Sequence, residues 1–161
     1  MVAVGDGSSD VLVREATPGD APAVAGLLDA LGYPDGVEAV RDRLTIFAAY
    51  ERDEVLVAEL DGAVVAFLAL NVTPTFAEAG WVSRITAFVV APDVRRAGVG
   101  MALMDEAERR ATEAGSRLMQ INSGRRPERA AAHHFYTSLG YRDQHDHHVL
   151  YDKRLNARGE G

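Results

Sequence analysis

The 161 residues, 47% hydrophobic and 25% charged, are enough for one globular domain with a real core. The absence of cysteine excludes a disulfide framework, a thiolate nucleophile and a thiolate metal site. A net charge of −7 argues against a nucleic-acid partner and favours a neutral or cationic small one, and no apolar run approaches the roughly 20 residues that span a bilayer.

Residues 1–10 are small and polar, without the basic and apolar regions of a signal peptide; they read as a disordered tail, consistent with a cytoplasmic protein. Val11–Glu15 alternates as a first strand. Thr17-Pro18-Gly19-Asp20 starts a helix: Thr17 caps, Pro18 takes the first position and Asp20 supplies an acid in the first turn. Val24, Leu27, Leu28 and Leu31 form its apolar stripe, and Gly32 ends it. After the Tyr33–Gly36 turn, a second helix runs from about Val37 to Tyr50 with Val40, Leu44 and Phe47 on one face.

Glu54–Leu60 and Ala63–Val72 form a hairpin about Asp61-Gly62. Thr73–Gly80 is a loop, and Trp81–Ala91 a long strand. Gly98–Ala114 is an amphipathic helix, and Arg117–Asn122 a strand. Ser123–Arg129 is a polar, basic loop, and Glu128–Leu139 a helix closed by Gly140. Tyr141–Asp143 and His147–Leu155 are expected as closing strands, and residues 156–161 as a frayed end. The order predicts one α+β domain over residues 11–155, with a mixed sheet of about seven strands and about four helices.

Between the long strand and its helix lies Arg95-Arg96-Ala97-Gly98-Val99-Gly100. A strand, a basic glycine turn and a helix N-terminus together make an anion site, because the first N–H groups of a helix lack internal partners and the dipole adds positive charge. No Gly-Lys-Ser/Thr follows, so the turn is not a P-loop. Leu103 stands where a dinucleotide fingerprint needs a third small residue, and no acidic residue ends the next strand, which argues against nicotinamide binding.

The turn resembles the Arg/Gln-x-x-Gly-x-Gly/Ala motif of the GCN5-related N-acetyltransferase superfamily. Downstream, Ala132-His133-His134-Phe135-Tyr136-Thr137-Ser138-Leu139-Gly140-Tyr141 resembles that family's Ala-x-x-Phe-Tyr-x-x-x-Gly-Phe/Tyr segment. The resemblance extends over the element order from Val11 to about Leu155. It implies a sheet splayed at the two strands around the cofactor and binding of acetyl-coenzyme A. By resemblance the pyrophosphate falls to Arg95, Arg96, Ala97, Gly98, Val99, Gly100 and Met101. The pantetheine arm falls to Phe88, Val89, Val90 and Asn122.

The implied reaction is transfer of the acetyl group to a primary amine of a small molecule, by direct attack through a tetrahedral intermediate. Tyr136 matches the family's tyrosine that protonates the departing thiolate, and a phenol remains protonated at neutral pH. Many relatives carry a glutamate in the strand before the glycine turn as base. The matching place here is about Thr86, and no carboxylate sits on Trp81–Val90. Glu78 and His133 are the candidate bases, beside a water relay with no single base.

Tyr33, Asp35, Phe76, Trp81 and His147 are candidate acceptor contacts, with Phe47 and Glu78 nearby; their aromatic and acidic character suits a cationic amine. His145-Asp146-His147-His148 is expected to be a solvated turn rather than a metal site, since closed zinc sites draw ligands from separated parts of a chain. Two other readings compete with the small-molecule one: a protein or peptide N-acetyltransferase, and a non-catalytic acyl-coenzyme A sensor. The family resemblance also implies a homodimer, while the net charge and the lack of a spanning apolar run point to no role for nucleic acid or membrane.

Overall fold

The computed structural model describes residues 2–4, 10–144, 146 and 151–155, in two compact units, Met1–Asn122 and Ser123–Gly161. In the first unit the strands are β1 (Val2–Val4), β2 (Val11–Glu15), β3 (Asp53–Leu60), β4 (Ala63–Pro74), β5 (Trp81–Val90) and β6 (Ser116–Ile121). Its helices are α1 (Ala21–Ala30), α2 (Val37–Ala48) and α3 (Val99–Glu113). The second unit contains α4 (Ala130–Ser138).

The strands form one sheet in sequence order. Neighbours from β1 to β5 are antiparallel, and β5 pairs with β6 in parallel. A parallel pair needs a crossover, and α3 supplies it. Asp61 and Gly62, at φ +52° and +80°, turn β3 into β4. Both lie in the left-handed region, which Asp-Gly accepts readily in a two-residue hairpin.

The sheet differs from the expected one of about seven strands. Among the described residues there are six, five of them at least five residues long. Val2–Val4, expected within a disordered tail, pairs with β2; its two β-branched residues favour a strand even in so short a run. Tyr141–Asp143, expected as a strand, is irregular. Its backbone serves α4 instead. Gly140, at φ +91°, and Tyr141 donate to the carbonyls of Thr137 and Tyr136, the paired bonds of a Schellman cap. The expected strand His147–Leu155 is irregular over 151–155, and the remainder lies outside the described residues.

Period-two alternation divides the sheet's faces. Val57, Phe67 and Val89 lie side by side in the register of β3, β4 and β5, and they pack with Val24, Leu27, Val40 and Leu44 of α1 and α2. The opposite face presents Leu56, Leu68, Leu70 and Ile85, all fully buried, and α3 covers it with Leu103 and Met104. Ions fix α3 in place. Arg110 bridges Glu15 of β2, Glu54 of β3 and the buried Glu106 of its own helix, and Arg109 holds Glu106 as well. Arg109 and Arg110 hold the Glu106 carboxyl down to about 2 against the opposing cost of its burial.

Candidate active site

The chain leaves β5 at Val90, makes a short 3-10 turn over Pro92–Val94 and enters α3 through Arg95–Gly98. Two residues in this turn adopt left-handed backbone: Arg96 at φ +73° and Gly98, the N-cap of α3, at φ +79°. A Cβ at Gly98 would meet nothing within 4 Å, so the glycine answers the backbone conformation and leaves open space beside it. No side chain caps α3. The first bond into the helix runs from Ala102 N–H to the Gly98 carbonyl, so the N–H groups of Val99, Gly100 and Met101 precede the ladder. Arg95, Arg96, Ala97 and Gly98 are exposed, as is Met101, whereas Val99 is buried and anchors the helix start. Among the described residues neither arginine forms an ion pair. An uncapped helix start, an open glycine and two arginines that pair with no described carboxylate fit an anionic group with several oxygens.

The strand feeding the turn behaves differently on its two sides. Pairing of β5 with β4 continues to Ala66↔Val90, but pairing with β6 stops at Ile85↔Ile121. At the same place β5 carries a bulge: Leu70 pairs with Ile85 and Ala69 with Ala87, leaving Thr86 as the extra residue. A bulge takes one residue out of the ladder and sharpens the strand's twist. The Thr86 hydroxyl donates to Asn71 Oδ1 at 3.0 Å. The shared part of the two strands is pinned by Ser83 and Ser116, whose hydroxyls lie 2.7 Å apart, and by Arg84, which donates to Gln120 at 3.0 Å. Phe88 and Val90 are half-buried and Val89 is buried; Asn122 follows β6 and is exposed.

In the second unit Tyr136 is buried in α4, flanked by Phe135 and Tyr141 with ring centroids 5.9 and 6.4 Å away. Burial pushes the Tyr136 phenol above its ordinary value, and the positive charge of Arg129 offsets part of that rise. The phenol is therefore a protonated donor at neutral pH. One turn earlier on the helix, His133 Nε2 lies 3.0 Å from Ser123 Oγ.

The remaining predicted site residues are dispersed. Glu78 is mostly exposed and paired with Arg117 at 2.6 Å. Asp35 is paired with Arg43 at 2.7 Å. Tyr33 and Phe76 are exposed, and Phe47 is half-buried. Trp81 lies beneath the Arg52 guanidinium, 3.8 Å from the ring centroid. His147 lies outside the described residues. Both acids expected to attract a cationic acceptor thus already carry an arginine. The Thr86 bulge and its bond to Asn71 were not foreseen; an alternating run gives no sign of which residue leaves the ladder.

The model of the acetyltransferase (GNAT) family matches residues 25–141. An aminoalkylphosphonate N-acetyltransferase from Salmonella typhimurium is 28% identical over 134 residues, covering 83% of this chain and 86% of that protein. Among solved structures, an aminoglycoside N-acetyltransferase in complex with CoA aligns with a TM-score of 0.78 at 19% identity, over 94% of this chain and all of the other. A ribosomal-protein-alanine N-acetyltransferase from Brucella melitensis aligns with a TM-score of 0.73 at 20% identity, over 90% and 99%. At such identities the structural likenesses establish the fold alone. No helix among the described residues is long and apolar enough to cross a membrane. With the family model spanning most of the chain, an uncapped helix behind a basic glycine turn and a strand that runs past its last pair with its neighbour, the chain belongs to the acetyltransferase (GNAT) family, enzymes whose acyl donor is acetyl-coenzyme A.

Proposed function

We propose that this chain transfers the acetyl group of acetyl-coenzyme A to a primary amine of a small molecule. The observation that carries the reading is the coincidence at β5: its pairing with β6 ends at Ile85↔Ile121, and the strand then runs into an uncapped, arginine-bearing helix start. The first feature suits an extended arm lying along a strand, and the second suits a pyrophosphate. Arg95, Arg96 and the backbone from Ala97 to Met101 would hold the phosphates. Phe88, Val89, Val90 and Asn122 would hold the pantetheine arm. The Salmonella typhimurium relative is named as an aminoalkylphosphonate N-acetyltransferase, which supports the choice of acceptor class.

Direct attack asks the protein for a proton acceptor, an oxyanion donor and a proton donor. We assign the proton donor to Tyr136, on the match of its helix to the family segment and on its protonated, buried phenol. Proton removal falls to His133 rather than Glu78. The Glu78 carboxylate is already engaged by Arg117, whereas among the described residues His133 Nε2 meets the Ser123 hydroxyl. Incubation with acetyl-coenzyme A and a panel of primary amines, followed by thiol release, tests the reading. Turnover with small amines and none with peptides supports it, and turnover with peptides alone refutes it.

A further inference from the structure

On the sheet face that α1 and α2 partly cover, the apolar rows Val57–Phe67–Val89 and Val55–Ala69–Ala87 are followed by a row of a different kind. Asp53 pairs with Asn71, Asn71 with Arg84, and Arg84 with Gln120. Four polar residues thus cross four strands in one line. The Thr86 bulge keeps them in phase, returning Arg84 to the face of Ala87 although three positions separate the two. Arg84 and Gln120 are exposed, and Asn71 and Asp53 half-buried.

Arg84, like Arg95 and Arg96 of the glycine turn, pairs with no carboxylate among the described residues. Arg14, Arg41, Arg43, Arg109, Arg110 and Arg117 each hold a carboxylate. Arg84, in a chain with seven more acidic than basic side chains, has the neutral Gln120 amide as its side-chain partner among the described residues. A guanidinium has five N–H donors in a planar fork, and a single amide oxygen leaves most of them unused by the described side chains. Its flanking neighbours in the row, Asn71 and Gln120, are neutral. Asp53 lies two strands away, about 10 Å at ordinary strand spacing. The position along β5 matters as much: Arg84 immediately precedes Ile85, the last residue that β5 pairs with β6, on the face opposite α3.

We propose that Arg84 is a specificity-determining residue that grips an anionic group of the acceptor, a phosphonate or carboxylate borne by the same small molecule as the reacting amine. Gln120 holds one edge of the guanidinium and leaves the outer edge to take two acid oxygens in the bidentate arrangement that arginine favours. Thr86, hydrogen-bonded to Asn71, lies just past the last β5–β6 pair. This inference rests on the small-amine reading above and sets its substrate class: acidic amines rather than polycations.

The test compares aminoethylphosphonate, β-alanine and ethylamine, three primary amines differing in the group at the far end. Wild-type protein is expected to favour the two acidic acceptors over ethylamine in kcat/KM, and the phosphonate–carboxylate comparison identifies which acid is preferred. In Arg84→Gln the acid-to-neutral ratio falls by about 10- to 100-fold, the size of one or two lost charge-assisted hydrogen bonds. Arg84→Lys, which keeps the charge without the fork, restores part of the ratio. Calorimetry of aminoethylphosphonate binding to the coenzyme A-loaded protein should show the same loss, with coenzyme A affinity unchanged by either substitution. A wild type indifferent to the acid group, or an Arg84→Gln protein with an unchanged ratio, overturns the inference while leaving the small-amine reading intact. Coenzyme A binding without turnover of any amine overturns both.

Discussion

Ile85 and Ile121 are the last residues that β5 and β6 share in register, although β5 continues for five residues to Val90. Ser83–Ser116 and Arg84–Gln120 close the strands on one side of that last pair, and the Arg95–Gly98 turn begins after the strand ends on the other.

The turn depends on a residue that tolerates left-handed backbone. Gly98→Ala finds open space for its Cβ but retains φ +79° only at a cost of about 1 kcal/mol. The substitution is expected to lower the thermal midpoint slightly and to raise the coenzyme A Kd by about tenfold, equivalent to about 1.4 kcal/mol. Calorimetry with coenzyme A checks this; an unchanged Kd would remove the turn from the binding site.

Tyr136→Phe removes a buried phenol and keeps the ring between Phe135 and Tyr141. Loss of a proton donor should cut kcat by about 100-fold, with coenzyme A affinity unaltered. Because burial raises the phenol's value, the donor is present below its ordinary value of about 10 and is lost only as pH rises through the higher folded value. The alkaline limb of the wild-type kcat profile should therefore lie above about pH 10, and it should vanish in Tyr136→Phe. Equal rates for the two proteins would refute the assignment.

His133→Gln and Glu78→Gln separate the two candidate bases. The expected result is a fall in kcat/KM of about 100-fold for His133→Gln and a change within about twofold for Glu78→Gln, whose partner Arg117 remains exposed to solvent. Rate assays on both variants at neutral pH decide it, and the reverse pattern would transfer the role to Glu78.

Glu106 makes stability depend on pH in acid. Its folded value of about 2 lies below the ordinary 4.5, so its contribution is fully present above about pH 4.5 and is lost as pH falls toward about 2. The size at neutral pH is at most about 3 kcal/mol, from 1.36 kcal/mol per pH decade. Urea unfolding between pH 2 and 7 should show a shallower slope in Glu106→Gln than in wild type. The variant should also be less stable at pH 7, because Arg109 and Arg110 lose their shared buried anion. Identical slopes would show that the two arginines do not depress this carboxyl.

The elements with strong local signals were legible in the sequence. The Asp-Gly hairpin, the Thr17 start and the glycine stops at Gly32 and Gly140 each follow from backbone chemistry confined to a few residues. The glycine turn and the Phe135-Tyr136 helix were legible for the same reason. What escaped depends on contacts between distant segments. Val2–Val4 becomes a strand only because β2 offers an edge. Tyr141 is drawn away from a strand by the carbonyl of Tyr136. The line from Asp53 to Gln120 joins residues as far as 67 positions apart, and it exists only once four strands are set in register around the Thr86 bulge. The arginines beside Asp35 and Glu78 likewise altered the expected charge of the acceptor region.

The central claim is that the chain acetylates a small primary amine from acetyl-coenzyme A. Mass spectrometry of the amine, with thiol release followed in the same reaction, tests it most directly. The account predicts an N-acetylated small amine formed in step with free coenzyme A. Coenzyme A binding with no acetylated small amine across acidic, neutral and cationic acceptors would contradict it.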